Sequence, residues 1–147
     1  MTKFSTMKGK RGEQIALSHL TSIGLYRGEI VETPYVVIAR KTENPQWIKI
    51  RRSKKVTGDI HGHNSVGTHV LAEVKSGGER LLYSTMTKHG QHQIYNLDKQ
   101  AEKAIALVVW VRDEYELYVL QWPISGFQPH TSITPERAQE LNITDLG

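Results

Sequence analysis

The sequence predicts an α/β domain, a central mixed β-sheet flanked by helices. Three observations carry this. Thr68 to Lys75 alternates with period two, as a strand with two unlike faces does. Ala106 to Val111, ALVVWV, is a near-continuous apolar run and reads as a buried strand. Two segments with helical spacing, about Lys10–Ile23 and about Thr87–Lys103, precede and separate these strands. At 147 residues the chain is expected to form one domain with a proper core.

Residues 1–9 read as a flexible basic arm of the kind that lies along a phosphate backbone, and Lys8, Lys10 and Arg11 are candidate DNA contacts. The first helix places Ala16, Leu17, Leu20 and Ile23 on its apolar stripe and stops at Gly24. Glu13 shares that stripe, either as a functional carboxylate or as a complement to the helix dipole. Leu25 to Arg40 reads extended, with Pro34 marking an edge, a bulge or a break between two strands. Asn44-Pro45 turns the chain. Trp47 to Lys55, WIKIRRSKK, then suits a strand or hairpin arm with a basic outer face. Its Lys49, Arg51, Arg52, Lys54 and Lys55 are candidate phosphate contacts, and Trp47 either stacks on a base or fills the core.

Thr57 to Gly77 holds the densest chemistry. Gly58-Asp59-Ile60 is expected to pair as a hairpin with Thr68–Lys75. Within that strand Val70, Ala72 and Val74 face one way, and Leu71, Glu73 and Lys75 the other. Asp59, Glu73 and Lys75 then meet at one spot, a set that suits an oxygen-liking divalent cation and a phosphate. A plain cross-strand ion pair on a solvated face is the alternative for Glu-x-Lys. His61, His63 and His69 raise a zinc reading, but the chain has no Cys and offers no fixed third ligand. Polar loop histidines are the plainer account.

After the Gly77-Gly78 turn, Arg80 to Tyr83 forms a short strand or link. The second helix carries Ile94, Leu97, Ala101 and Ala104 inward, with Gln93 beside the stripe. Asp113-Glu114 turns the chain into Leu117–Trp122, a hairpin partner for the buried strand, and Pro123 ends it. In the C-terminal extension, 123–147, Thr134 caps a short helix with Pro135 at its first position, running to about Leu141.

Charge is unevenly spread. Residues 1–55 carry 12 Lys and Arg against 4 Asp and Glu, while residues 56–147 carry 7 against 11. A basic half beside an acidic cluster suggests a polyanion held by one part and handled by another. The absence of Cys fits a reducing compartment. No apolar run approaches membrane-spanning length, so an intracellular, cytoplasmic protein is expected.

The order is a helix with Glu13, strands, Gly-Asp-Ile, Glu-Val-Lys, a helix opened by His92-Gln93, then two strands. This resembles the PD-(D/E)xK nuclease superfamily over about residues 8–122, with Gly58 standing where the motif name has Pro. Within it the chain looks most like the Holliday junction resolvases, archaeal and RecU-type. Lys8-Gly9, Glu13, Gly24 and His92-Gln93 match features of those enzymes. The Lys49–Lys55 segment aligns to nothing in them.

The resemblance implies a restriction-endonuclease-like sheet and Mg²⁺-dependent cutting of four-way DNA junctions, with Mn²⁺ as a substitute. Asp59 and Glu73 would ligate the metal with the Val74 carbonyl, and Glu13 would support it directly or through water. Lys75 would orient the attacking water, and Gln93 would fix that water or the phosphate. A homodimer with two matched sites is implied. A restriction or repair endonuclease acting on linear duplex, or a non-catalytic nucleic-acid-binding domain, are the competing readings. The location would be nucleoid-associated, or an infected host cell if the source is viral.

Overall fold

The computed structural model describes the backbone of residues 3–31, 35–39, 47–51, 58–87 and 92–147, and the side chains of 9–31, 58–87 and 93–147. It is an α/β fold whose centre is a mixed five-stranded sheet flanked by helices.

The first helix, α1 (Lys3–Ser22), begins earlier than expected, so most of the anticipated basic arm is helical. The reason lies in composition: Lys3, Met7 and Lys8 are fair helix formers, and an isolated Gly9 costs only about 1 kcal/mol. Gly12 serves packing, because a Cβ there would collide with the Ser76 hydroxyl. The helix ends as predicted. Gly24 takes φ of 115°, Leu25 N–H reaches Leu20 C=O at 2.9 Å, and Gly24 N–H reaches Thr21 C=O at 3.3 Å. These two bonds define a Schellman stop, and Leu20 and Leu25 pack together in the core beneath it.

The strands β1 (Tyr26–Ile30), β2 (Tyr35–Ala39), β3 (Trp47–Arg51), β4 (Ile60–His63) and β5 (His69–Ser76) follow. The expected break near Pro34 separates β1 from β2, which belong to different sheets. β2 and β3 form their own antiparallel pair, from Tyr35 opposite Arg51 to Ala39 opposite Trp47. The chain leaves and rejoins the main sheet at one place: Ile30 pairs with Ile60, and Val31 N–H donates to Asp59 C=O at 2.8 Å. β4 pairs antiparallel with β5, as the hairpin reading required.

After β6 (Leu81–Leu82) come α2 (Tyr83–Thr87), a short helix ahead of the expected one, and α3 (His92–Lys103), which matches it. The strand β7 (Ile105–Val111) then lies parallel to β5, and this helical crossover makes the parallel pairing possible. β8 (Leu117–Gln121) returns antiparallel to β7. β9 (Ser132–Ile133) pairs with β6, and α4 (Pro135–Leu141) starts at the Thr134 cap, whose hydroxyl accepts from Arg137 N–H at 3.2 Å.

Strand alternation divides the core in two. Val70, Ala72, Leu107, Val109 and Val119 meet α1 through Ala16 and Leu20. Leu71, Val108, Trp110 and Leu120 meet Met86 of α2, Leu97 of α3 and Ala138 of α4. The segment 123–147 is more than an appendage. Ile143 N–H bonds Val119 C=O at 2.9 Å, and the Asn142 side chain accepts from Val119 N–H at 2.7 Å. Together they blunt the open edge of β8. Among the described residues no helix is long and apolar enough to cross a membrane.

Candidate active site

The site forms where the β4–β5 ladder stops. Regular pairing ends at Ile60 opposite Ala72. Gly58, at φ of 103°, turns the chain there, and a Cβ on it would lie 2.5 Å from Leu71 Cδ1. Asp59 N–H still reaches Ala72 C=O at 2.8 Å. Its Oδ2 then accepts from Val74 N–H at 2.8 Å. The carboxylate thus takes the place of the next ladder carbonyl, and Asp59 straddles Glu73. In a strand, the N–H and C=O of one residue point to the same side. The Val74 carbonyl therefore faces the edge that Asp59 occupies.

Leu71 packs in the core beneath α2 and α3, so Glu73 and Lys75 face that layer too, as the alternation predicted. Glu73 is only 4% exposed, one of two buried polar residues in the described part of the chain. A carboxylate so buried is costly without partners. It has them, because no buried side-chain N or O among the described residues lacks a hydrogen bond. Lys75 Nζ donates to Gln93 Oε1 at 2.7 Å and lies 3.5 Å from the Thr85 carbonyl. α3 opens at His92, which sets Gln93 in its first turn facing the strand. Gln93, expected to fix a water or the phosphate, accepts from the Lys75 ammonium through its Oε1.

Glu13 is half-buried on α1, the helix on the opposite face of the sheet. The neighbouring Gly12 lies against Ser76 and Val74 rather than against Glu73. Among the described residues no three His, Asp or Glu side chains gather in a form able to hold a metal ion. The expected triad of Glu13, Asp59 and Glu73 is therefore not a closed cage. Asp59, Glu73 and the Val74 carbonyl remain as hard oxygen donors on adjacent positions. That set fits Mg²⁺, which binds through one or two carboxylates and keeps several waters.

The histidines cluster without forming a zinc set. The His61 and His69 rings lie 5.1 Å apart, and His69 Nδ1 lies 2.9 Å from Gln100 Nε2. His63 stacks on Tyr26 at 6.0 Å, with its Nδ1 on the Asn64 carbonyl at 2.9 Å. Burial, and then the His61 ring, push the His69 pKa down. With Arg27 and Glu29 these rings line a groove of about 430 Å³.

Of the expected DNA contacts, Lys10 and Arg11 are exposed on α1, and Arg11 is paired with Glu114 in the β7–β8 turn. Lys8 lies on α1, and Lys49 and Arg51 on β3, with side chains outside the described residues. Arg52, Lys54 and Lys55 lie outside the described residues altogether. The reading from sequence missed Thr85 and Gln100. A carbonyl partner leaves no mark in composition, and Gln100 is an ordinary helix residue until the fold sets it beside His69. No family model matches this chain, and no curated protein matches it.

Proposed function

We propose that the chain is a metal-dependent endodeoxyribonuclease that cuts four-way DNA junctions by phosphodiester hydrolysis. One observation carries the reading. At one point of β5, a carboxylate closes the strand edge, a second is buried one residue away, and a lysine amine is fixed by an amide. Support also comes from the element order: three antiparallel strands after a helix, then a helical crossover to a parallel fourth. A restriction-endonuclease-like fold would have that order.

Mg²⁺, or Mn²⁺ in its place, supplies positive charge at the phosphate and a water of lowered pKa when bound. Asp59, Glu73 and the Val74 carbonyl would hold it. The bond from Val74 N–H fixes the Asp59 carboxylate before substrate arrives, which limits reorganisation. Lys75 orients the attacking water and offsets charge that grows on the phosphoryl oxygens. Gln93 Oε1 holds that amine in a single position. Glu73 lies two residues before Lys75 on the same face of β5 and is buried there. Lys10 and the basic β3 segment contact phosphates, and a homodimer presents two matched sites to the two strands of a junction.

The test compares an immobile four-way junction with linear duplex of the same sequence, in Mg²⁺ and in Mn²⁺. Paired symmetric nicks in the junction are expected. Asp59→Asn and Glu73→Gln should each abolish cutting and leave junction binding intact. Equal cutting of linear duplex would move the protein to a restriction or repair role. No cutting of either DNA with either metal would reject the nuclease reading.

A further inference from the structure

A cleft of about 540 Å³ opens beside the pair that holds Lys75, lined by Tyr83, Ser84, Ile94, Tyr95, Asp98 and His130 among others. We propose that this cleft receives an unstacked nucleobase from the DNA strand whose phosphate sits at Lys75. The inference rests on the nuclease reading and adds to it a base-binding site.

Position is the first argument. Ser84 and Ile94 are the chain neighbours of Thr85 and Gln93, the two residues at the Lys75 amine. Consecutive Cα atoms are about 3.8 Å apart, so the cleft wall begins one residue from the phosphate-handling group. One sugar separates a base from its phosphate, a comparable span.

The lining chemistry is the second. Two tyrosine rings and an isoleucine offer flat apolar walls, and Tyr95 stands 60% exposed with Lys99 Nζ 5.7 Å from its ring centre. Aromatic rings take any base by stacking. Among the described residues no Lys or Arg lines the cleft, and Asp98 does. That charge pattern repels phosphate and favours the N–H groups of a base. Asp98 is oriented from below, since the buried Trp122 donates its indole N–H to Oδ1 at 2.7 Å.

Backbone geometry is the third. Gln128 to Thr131 forms a turn closed by Thr131 N–H on Gln128 C=O at 3.0 Å. His130 sits at its third position with φ of 70°. Glycine or asparagine is the usual occupant of such a place. Histidine tolerates this left-handed conformation better than most side chains, and here the turn sets its imidazole at the rim of the cleft.

The full-length protein without metal is titrated with dCMP, dTMP and deoxyribose 5-phosphate and followed by NMR. Expected are shifts at Ile94 and Tyr95 with the nucleotides, stronger with dCMP, whose amino group suits Asp98, and none there with the sugar phosphate. Tyr95→Ala should weaken dCMP binding at least about fivefold. Asp98→Asn, which keeps an oxygen for Trp122, should level dCMP with dTMP. Equal shifts from the sugar phosphate, or unchanged dCMP binding in both variants, would overturn the proposal. DNA left uncut in Mg²⁺ while dCMP still fills the cleft would reject the nuclease reading and leave base binding standing.

Discussion

The two sides of β5 differ. Toward β7 the pairing runs unbroken from Val70 opposite Ile105 to Ser76 opposite Val111. Toward β4 it stops at Ala72, and the Asp59 side chain completes it. One side is built from unbroken backbone pairing and apolar packing. The other gives up a strand for a carboxylate, and the reactive groups collect at that place. Stability and chemistry therefore draw on opposite edges of the same strand, and substitutions should separate them.

Asp59→Ala is expected to have the largest effect. Junction cleavage in Mg²⁺ should fall on the order of a thousandfold. Because Val74 N–H loses its acceptor, urea unfolding should also show a loss of about 1–3 kcal/mol. Asp59→Asn retains an acceptor oxygen, so it should lose the activity and keep most of the stability. Across the strand, Leu107→Ala should cost about 2–5 kcal/mol, since the side chain is fully buried. Its cleavage rate, measured well below the unfolding transition, should remain within about twofold of wild type. Comparable activity loss in both variants would end the division between the edges.

Gln93→Ala refines the comparison. Freed from Oε1, the Lys75 amine should lose its fixed position, and kcat should drop about tenfold with little change in junction affinity. Gln93→Glu retains an acceptor and should recover part of that rate. A Gln93 that only packs would leave kcat unmoved.

The smallest expected effect is a pH response. Burial lowers the pKa of His19, and burial with the His61 ring lowers that of His69. A base with a depressed folded pKa binds fewer protons folded than unfolded. Its share of stability is present above about pH 6.5, the unfolded value, and is lost as pH falls through the folded one. Thermal unfolding followed from pH 7.5 to 5 should show a decline that the double variant His19→Asn, His69→Asn reduces.

Much of the sheet was legible because its signals are local. Period two in β5, the apolar run of β7, Gly24 as a helix stop and Thr134 with Pro135 as a helix start each depend on a few neighbouring residues. The site was legible in part. The Asp59 side chain bonds β5 at Val74, between Glu73 and Lys75, while the contact of Gln93 with Lys75 was not foreseen, because an amide's spacing does not name its partner. Glu13 was legible only as an inward-turned residue. A helical stripe says which residues turn inward but not which face of the sheet they meet, and α1 meets the face opposite Glu73.

The departure of the chain after Val31 and its return at Asp59 have an engineering consequence. Because Ile30 and Ile60 are already partners, the two ends stand side by side, and a short glycine-containing turn would splice them into a plain hairpin. The excised piece, with β2, β3 and their lysines and arginines, carries none of the residues assigned to hydrolysis. A shortened protein of this kind would test, in one deletion, whether the proposed grip on DNA separates from the proposed scission step.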